Sequence, residues 1–319
     1  MFLWMLWLMG WSSIQSSTAR PSGNPKLALA ERLNGQGLYR FALNSLNDVI
    51  EKGLGDPDVY SFRGTVLSLR GEYSLAVDDF EEGLESVRLS GRDGEAYASV
   101  QFIRGDCTAT ETLSALRRFG TMPKPSAIRL LSTEVEMHRY CNDRDKAHRV
   151  QTAMASQFPR AVKTHLAAAD LALDGGDVEQ AWRDLFNAQI YYRYVGKLDI
   201  LARIALVEGR YEDAFQTLHY IKSQRVPDRS MILKGLATLM AGDPSVLLYK
   251  LGQPRWVDNE NPHILYLRLW SLKELGLQEQ YRDELEWFRL LCDATCTQTV
   301  QRNLTMELQR PLPFQLGER

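Results

Sequence analysis
The chain has 319 residues, 45% of them apolar and 24% charged, with 38 basic against 40 acidic side chains. That composition excludes a collagen-like, low-complexity or wholly disordered chain. A net charge of -2 gives no global attraction to nucleic acid or anionic lipid, so no nucleic-acid partner is expected.

The first element in chain order is the apolar run from Phe2 to Trp11. It is too short for a bilayer span, which takes about 20 residues. Small polar residues follow, and small side chains at Ser17 and Ala19 predict cleavage after Ala19, making residues 1–19 a signal peptide. The run lacks the usual Lys or Arg at its start. The competing reading is a hydrophobic N-terminal helix docked on the body of the protein. The first reading places the mature chain in the periplasm or outside the cell. The second makes it intracellular. No later segment is apolar enough to suggest a stable span in the mature chain.

From there the chain repeats. Gly37, Gly71, Gly105, Asn142, Gly176, Gly209, Gly242 and Gly276 each lie between two amphipathic runs, at steps of 34, 34, 37, 34, 33, 33 and 34 residues. Asn142 is the other residue type that readily enters the left-handed region. The long step contains Met122-Pro123-Lys124-Pro125-Ser126, an expected extended connection. Seven residues before each anchor lie Ala30, Gly64, Ala98, Val135, Ala169, Ala202, Gly235 and Leu269, mostly small. Five after lie Ala42, Ala76, Thr110, Ala147, Ala181, Ala214, Leu247 and Tyr281. Small residues on both helices let two backbones approach. Such a hairpin cannot bury its apolar face alone and must stack on its neighbours.

The units at Tyr60-Ser61-Phe62-Arg63-Gly64 with Gly71, Tyr73, Ala76 and Phe80, at Ala169 with Gly176 to Ala181 and Leu185, and at Gly209 to Ala214 carry the clearest signature. In them the chain resembles the tetratricopeptide repeat family, with about eight repeats over roughly residues 23 to 291. The third and seventh units depart from the pattern, with Cys107 and Thr110 in one and Pro244 and Leu247 in the other. The resemblance implies an all-α fold, a right-handed superhelical solenoid of stacked helix–turn–helix repeats. Two blocks are expected, 23–120 and 126–291, meeting at the weak joint between Gly120 and Pro125. A capping helix over 297–309, with Val300, Leu304 and Leu308 at helical spacing, should cover the last pair and lead into a tail over 310–319.

In such a stack Cys107 begins the second helix of one unit and Cys141 ends the first helix of the next, on one edge of the array. Their pairing is expected in an exported chain, as is that of Cys292 with Cys296 across a turn. The alternative is four reduced thiols. Redox chemistry is disfavoured because three residues, not two, separate Cys292 from Cys296. His138, Cys141, His148 and Cys107 match no zinc-finger spacing, so neither a metal nor any cofactor is expected. No phosphate-binding glycine loop, hydrolase elbow or zinc-protease helix is present. Asp174 and Asp177 read as turn and cap residues.

In the resembling family the first helix of each pair lines the groove that receives peptides. That projects a candidate lining of Arg129, Glu136, Arg139, Tyr140, Asp170 and Arg203. Farther along come Ile232, Leu233, Leu236, Met240, Tyr266 and Trp270, an apolar and aromatic group that fits the core of a capping unit better than an open groove. The expected function is a non-catalytic scaffold with a protein or peptide partner. The alternatives are an intracellular regulatory or assembly adaptor, or an enzyme or substrate-binding subunit with a deep polar site containing perturbed carboxylates or His.

Overall fold
The computed structural model describes residues 25–84, 91–119, 123–188, 194–219, 221, 228–253 and 259–316. The expected leader, residues 1–19, and Gly120 to Met122 at the expected joint lie outside them. Every regular element among the described residues is an α-helix.

The chain divides into two units, Met1–Gly55 and Asp56–Arg319. The first holds one hairpin, α1 (Pro25–Gly35) and α2 (Tyr39–Glu51). Its core is Leu27, Ala30, Ala42, Leu46 and Val49.

The second unit holds seven further pairs. They are α3 (Pro57–Arg70) with α4 (Tyr73–Leu84), α5 (Gly91–Ile103) with α6 (Ala109–Phe119), and α7 (Lys124–Tyr140) with α8 (Arg144–Gln157). Next come α9 (Val162–Asp174) with α10 (Val178–Asn187) and α11 (Val195–Val207) with α12 (Tyr211–His219). The last are α13 (Asp228–Met240) with α14 (Pro244–Leu251) and α15 (Pro262–Glu274) with α16 (Gln278–Leu291), followed by a single helix, α17 (Ala294–Leu308).

Local chemistry explains the punctuation. Asp56 caps α3 by accepting from Val59 N at 2.9 Å, and Pro57 takes the first position, where no backbone donor is needed. Asp143, Asp177 and Asp293 cap α8, α10 and α17 in the same way. All eight turn residues predicted from the spacing, Asn142 included, have positive φ. At Gly71 the demand is double. Its φ is +84°, and a Cβ there would lie 2.4 Å from the Asn259 side chain.

The small positions are interior. Ala98, Ala169, Ala202, Ala147, Ala181 and Ala214 are fully buried. A Cβ on Gly64 would sit 3.0 Å from the Ala76 carbonyl oxygen, so α3 and α4 touch backbone to backbone. The first helices stack on one another, α7 on α9, α9 on α11, α11 on α13 and α13 on α15.

Two features of the second unit go beyond a simple stack. The α3–α4 turn meets the start of α13 and α15: Glu260 N donates to Gly71 O at 3.0 Å, Ser74 N to Glu260 Oε2 at 2.7 Å, and Tyr73 Oη to Asp228 Oδ2 at 2.5 Å. Secondly, α17 does more than cover the last pair. It lies against α11, α13 and α15. Val300, Leu304 and Leu308 join the core of α11–α16, and the tail follows with Leu312 and Phe314 buried.

The cysteines form two disulfides, Cys107–Cys141 with Cα atoms 5.8 Å apart and Cys292–Cys296 at 5.2 Å. The first ties the α5–α6 corner to the end of α7. The second closes the corner between α16 and α17, where Cys292 is extended and Asp293 begins the new helix.

Candidate binding site on the inner helix face
The first helices α7, α9, α11, α13 and α15 stack in succession, and α17 lies against the last three. Where α7, α9, α11 and α13 meet α17, the inner face is charged and dry. Arg139 grips Asp174 with two bonds, Nε to Oδ2 at 2.6 Å and Nη2 to Oδ1 at 2.9 Å. Arg203, with no exposed surface, donates Nη1 to Asp170 Oδ1 at 2.9 Å and Nη2 to Asp174 Oδ1. Its Nε lies 2.6 Å from Glu307 Oε2. Arg229 forks onto Asp170 at 2.7 and 2.5 Å. Tyr140 Oη donates to Glu307 Oε1, and Arg302 Nη2 donates to the Tyr140 carbonyl at 2.7 Å.

Three guanidiniums thus meet three carboxylates, and one of the carboxylates arrives on α17. Burying any of these charges alone would be prohibitive, whereas forked Arg–carboxylate geometry compensates much of the desolvation. Burial pushes the Asp170 pKa up, but the charges of Arg139 and Arg229 outweigh it and hold it well below the usual carboxylate range. Burial opposes the charge on Arg139, yet Asp170 and Asp174 keep it firmly protonated. Beside them His263 is driven down to about 4 by burial, so the imidazole is neutral. Asn303 Nδ2 donates to its Nε2 at 3.3 Å.

Beyond α17 the face opens into a cavity of about 260 Å³ between α7, α9 and α11, with Arg229 of α13 at its floor. Glu136, Lys163, Asp199, Ser132 and Tyr194 join Arg139, Asp170 and Arg229 of the network in its polar lining, and Val135, Leu166 and Ile200 are among its apolar walls. Burial raises Asp199 to about 6 against the charge of Arg229, and lowers the Lys163 ammonium.

The residues singled out from the sequence fall into three places. Glu136, Arg139, Tyr140, Asp170 and Arg203 come together around the ion network and cavity. Arg129 stands apart, pairing with Glu95 of α5 at 2.6 Å on the partly exposed rim. Ile232, Leu233, Leu236, Tyr266 and Trp270 are buried in the apolar body, with Met240 packed against it. There Tyr266 Oη donates to Phe314 O at 2.7 Å, and the Trp270 and Phe314 rings stack at 6.1 Å. Sequence reasoning missed Asp174, Lys163, Asp199, Arg229 and Glu307. Asp177 is the cap residue it was read as, but Asp174 belongs to the network.

No metal-binding group of three or more His, Cys, Asp or Glu occurs among the described residues. The four cysteines are committed to disulfides. No described helix is long and apolar enough to cross a membrane.

No protein-family profile and no curated protein sequence matches the chain. Solved structures do. A tetratricopeptide repeat protein from Parabacteroides merdae superposes with a TM-score of 0.53 at 14% identity, covering 78% of this chain and 98% of that one. The fold is that of the tetratricopeptide repeat. The Cut9–Hcn1 hetero-tetramer of the APC/C gives a TM-score of 0.46 at 13% identity, over 88% of this chain and 56% of its own. The chain thus spans little more than half the length of that second structure.

Proposed function
We propose that this protein is a non-catalytic scaffold that binds a protein or peptide segment on the inner face of α7, α9 and α11, and that it acts outside the cytosol. The observation that carries the binding assignment is the cavity beside α17. It lies on a part of the inner face that the chain's own C-terminal helix leaves unfilled, and its polar groups line one space. Repeat folds of this kind stack hairpins to create such faces. Export rests on the leader expected over residues 1–19 and on two disulfides, which persist in oxidising compartments.

The test is partner capture with the mature protein, read by mass spectrometry, from envelope and cytosolic fractions in parallel. A polypeptide retained from the envelope fraction and lost on Glu136→Lys, with the helical circular dichroism unchanged, is the expected result. Capture indifferent to that substitution would overturn the binding face, and a mature mass that still includes Met1 would overturn export.

A further inference from the structure
Away from the cavity, α12 packs on α13 and α13 on α14, and one aromatic ring there gathers two ammonium groups. Lys234 Nζ of α13 lies 5.6 Å from the centre of the Phe215 ring, and Lys250 Nζ of α14 lies 4.5 Å from it. The two ammoniums stand within hydrogen-bond reach of each other. Neither pairs with a carboxylate among the described residues. Lys26 and Lys52 also converge, but on the carboxylate of Asp48, which lies between their charges. At Phe215 that middle group is missing. Phe215 packs against the apolar body, so the ring is a fixed platform. Burial and Lys250 push the Lys234 ammonium down to about 8, burial lowers Lys250, and no carboxylate among the described residues holds either up. Attraction to the face of one ring offsets only part of the repulsion between two like charges.

We propose that Lys234 and Lys250 form a binding site for a phosphate dianion, seated between the two ammoniums beside the Phe215 ring. Two unbalanced positive charges at one point call for a ligand with two negative ones, and a tetrahedral oxyanion has oxygens enough to accept from both. A carboxylate would leave one ammonium uncompensated, and a cation would be repelled by both. His219, exposed one turn beyond Phe215, places an imidazole beside the same ring, with ring centres 6.1 Å apart. The phosphate is either free or the phosphomonoester of a lipid headgroup. Tyr249 and Val246, 74% and 38% exposed on the helix that carries Lys250, would meet the lipid in the second case. The site shares no residue with the cavity assigned to a polypeptide, and it stands or falls without that reading.

The experiment is a carbon-13 NMR pH titration of the lysine side chains in the full chain, run in sodium chloride, in acetate and in inorganic phosphate at equal ionic strength. Sedimentation with phosphatidylcholine vesicles, with and without phosphatidic acid, tests the lipid source. Phosphate should raise the Lys234 midpoint by about one pH unit relative to chloride, because a bound dianion favours the charged ammonium, and acetate should not. Lys234→Met and Lys250→Met, which keep the stems packed on Phe215, should each weaken phosphate binding by about tenfold with the helical circular dichroism unchanged. Lys273, over the Phe314 ring at 5.1 Å without a second lysine, is the internal control, and its signal should not follow phosphate. Sedimentation that needs phosphatidic acid and is lost in both variants makes the lipid phosphate the source. A response to free phosphate without such sedimentation makes the ligand a free phosphate. An equal shift in acetate, or no shift in phosphate together with no variant-dependent sedimentation, overturns the proposal. Phosphate binding that survives both substitutions together would place the anion elsewhere and overturn it as well.

Discussion

Two stretches of one inner helix face solve the same problem by opposite means. Near α15 the helices meet α17 and its tail through Leu265, Tyr266, Leu269, Trp270 and Phe314, all nearly without exposed surface. Near α9 and α11 they meet the same helix through Arg203, Asp170, Asp174 and Glu307. The apolar stretch is the more tolerant, because most of its stabilisation grows with area and little beyond the Tyr266 hydroxyl bond to Phe314 O depends on a particular partner. The polar stretch is intolerant. Each charge is acceptable only while the others stay in place.

That contrast can be broken most forcefully at Arg203. Arg203→Met should cost about 5 kcal/mol, since it leaves carboxylates buried without their partner. Adding Glu307→Met should recover part of the loss. Urea melts would show both, with a fall in midpoint and then a partial return. A double loss equal to the sum of the single losses would mean that the two charges do not act together.

Next comes the bridge at the edge of the polar stretch. Removing Cys107–Cys141 as Cys107→Ala with Cys141→Ala should cost about 4 kcal/mol. The Cys292–Cys296 bridge, spanning 4 residues rather than 34, should be worth about half as much. Comparing oxidised and variant melts checks both.

In the apolar stretch Phe314→Ala should cost about 3 kcal/mol, with no rescue from a second substitution at Trp270. Rescue there would show that the apolar stretch also depends on specific pairing.

The smallest effect is electrostatic. The folded pKa of Asp199, about 6, lies above its unfolded value, so the folded state takes up the proton first as pH falls. Stability from this group should therefore rise by about 1 kcal/mol between pH 7 and pH 5. Asp199→Asn should abolish that slope and be the more stable protein at pH 7. A steeper slope in the variant would contradict the burial of this carboxyl.

Much of this was legible in advance, and the particular residues show why. The eight turn residues could be read because a left-handed turn admits few residue types and the hairpin length is constant. The small positions could be read because two backbones in contact leave no room for a larger side chain. The Cys107–Cys141 pair was expected from helix ends on one edge of such a stack and Cys292–Cys296 from a local turn, with four reduced thiols as the alternative, and both pairs are bridged. The site was half legible. Asp199 lies one turn before Arg203 on the same helix face, and Lys163 two turns before Asp170. Both stand at helical spacing, four and seven residues, on the stripes that Arg203 and Asp170 mark. Asp174 was misread because an acidic residue beside Gly175-Gly176 also fits a turn.

Glu307 had no such signal. It reaches Tyr140 across 167 residues, and nothing near it in the chain marks it as a partner for arginine. Helix period, caps and turns are decided by neighbours a few residues apart, so the chain by itself determined the repeating hairpins and their order. Where α17 lies, which charges it neutralises and which part of the inner face stays open are decided by the packing of distant surfaces. A buried charge finds its partner only when the helices carrying both have docked, and only the tertiary structure contains that event.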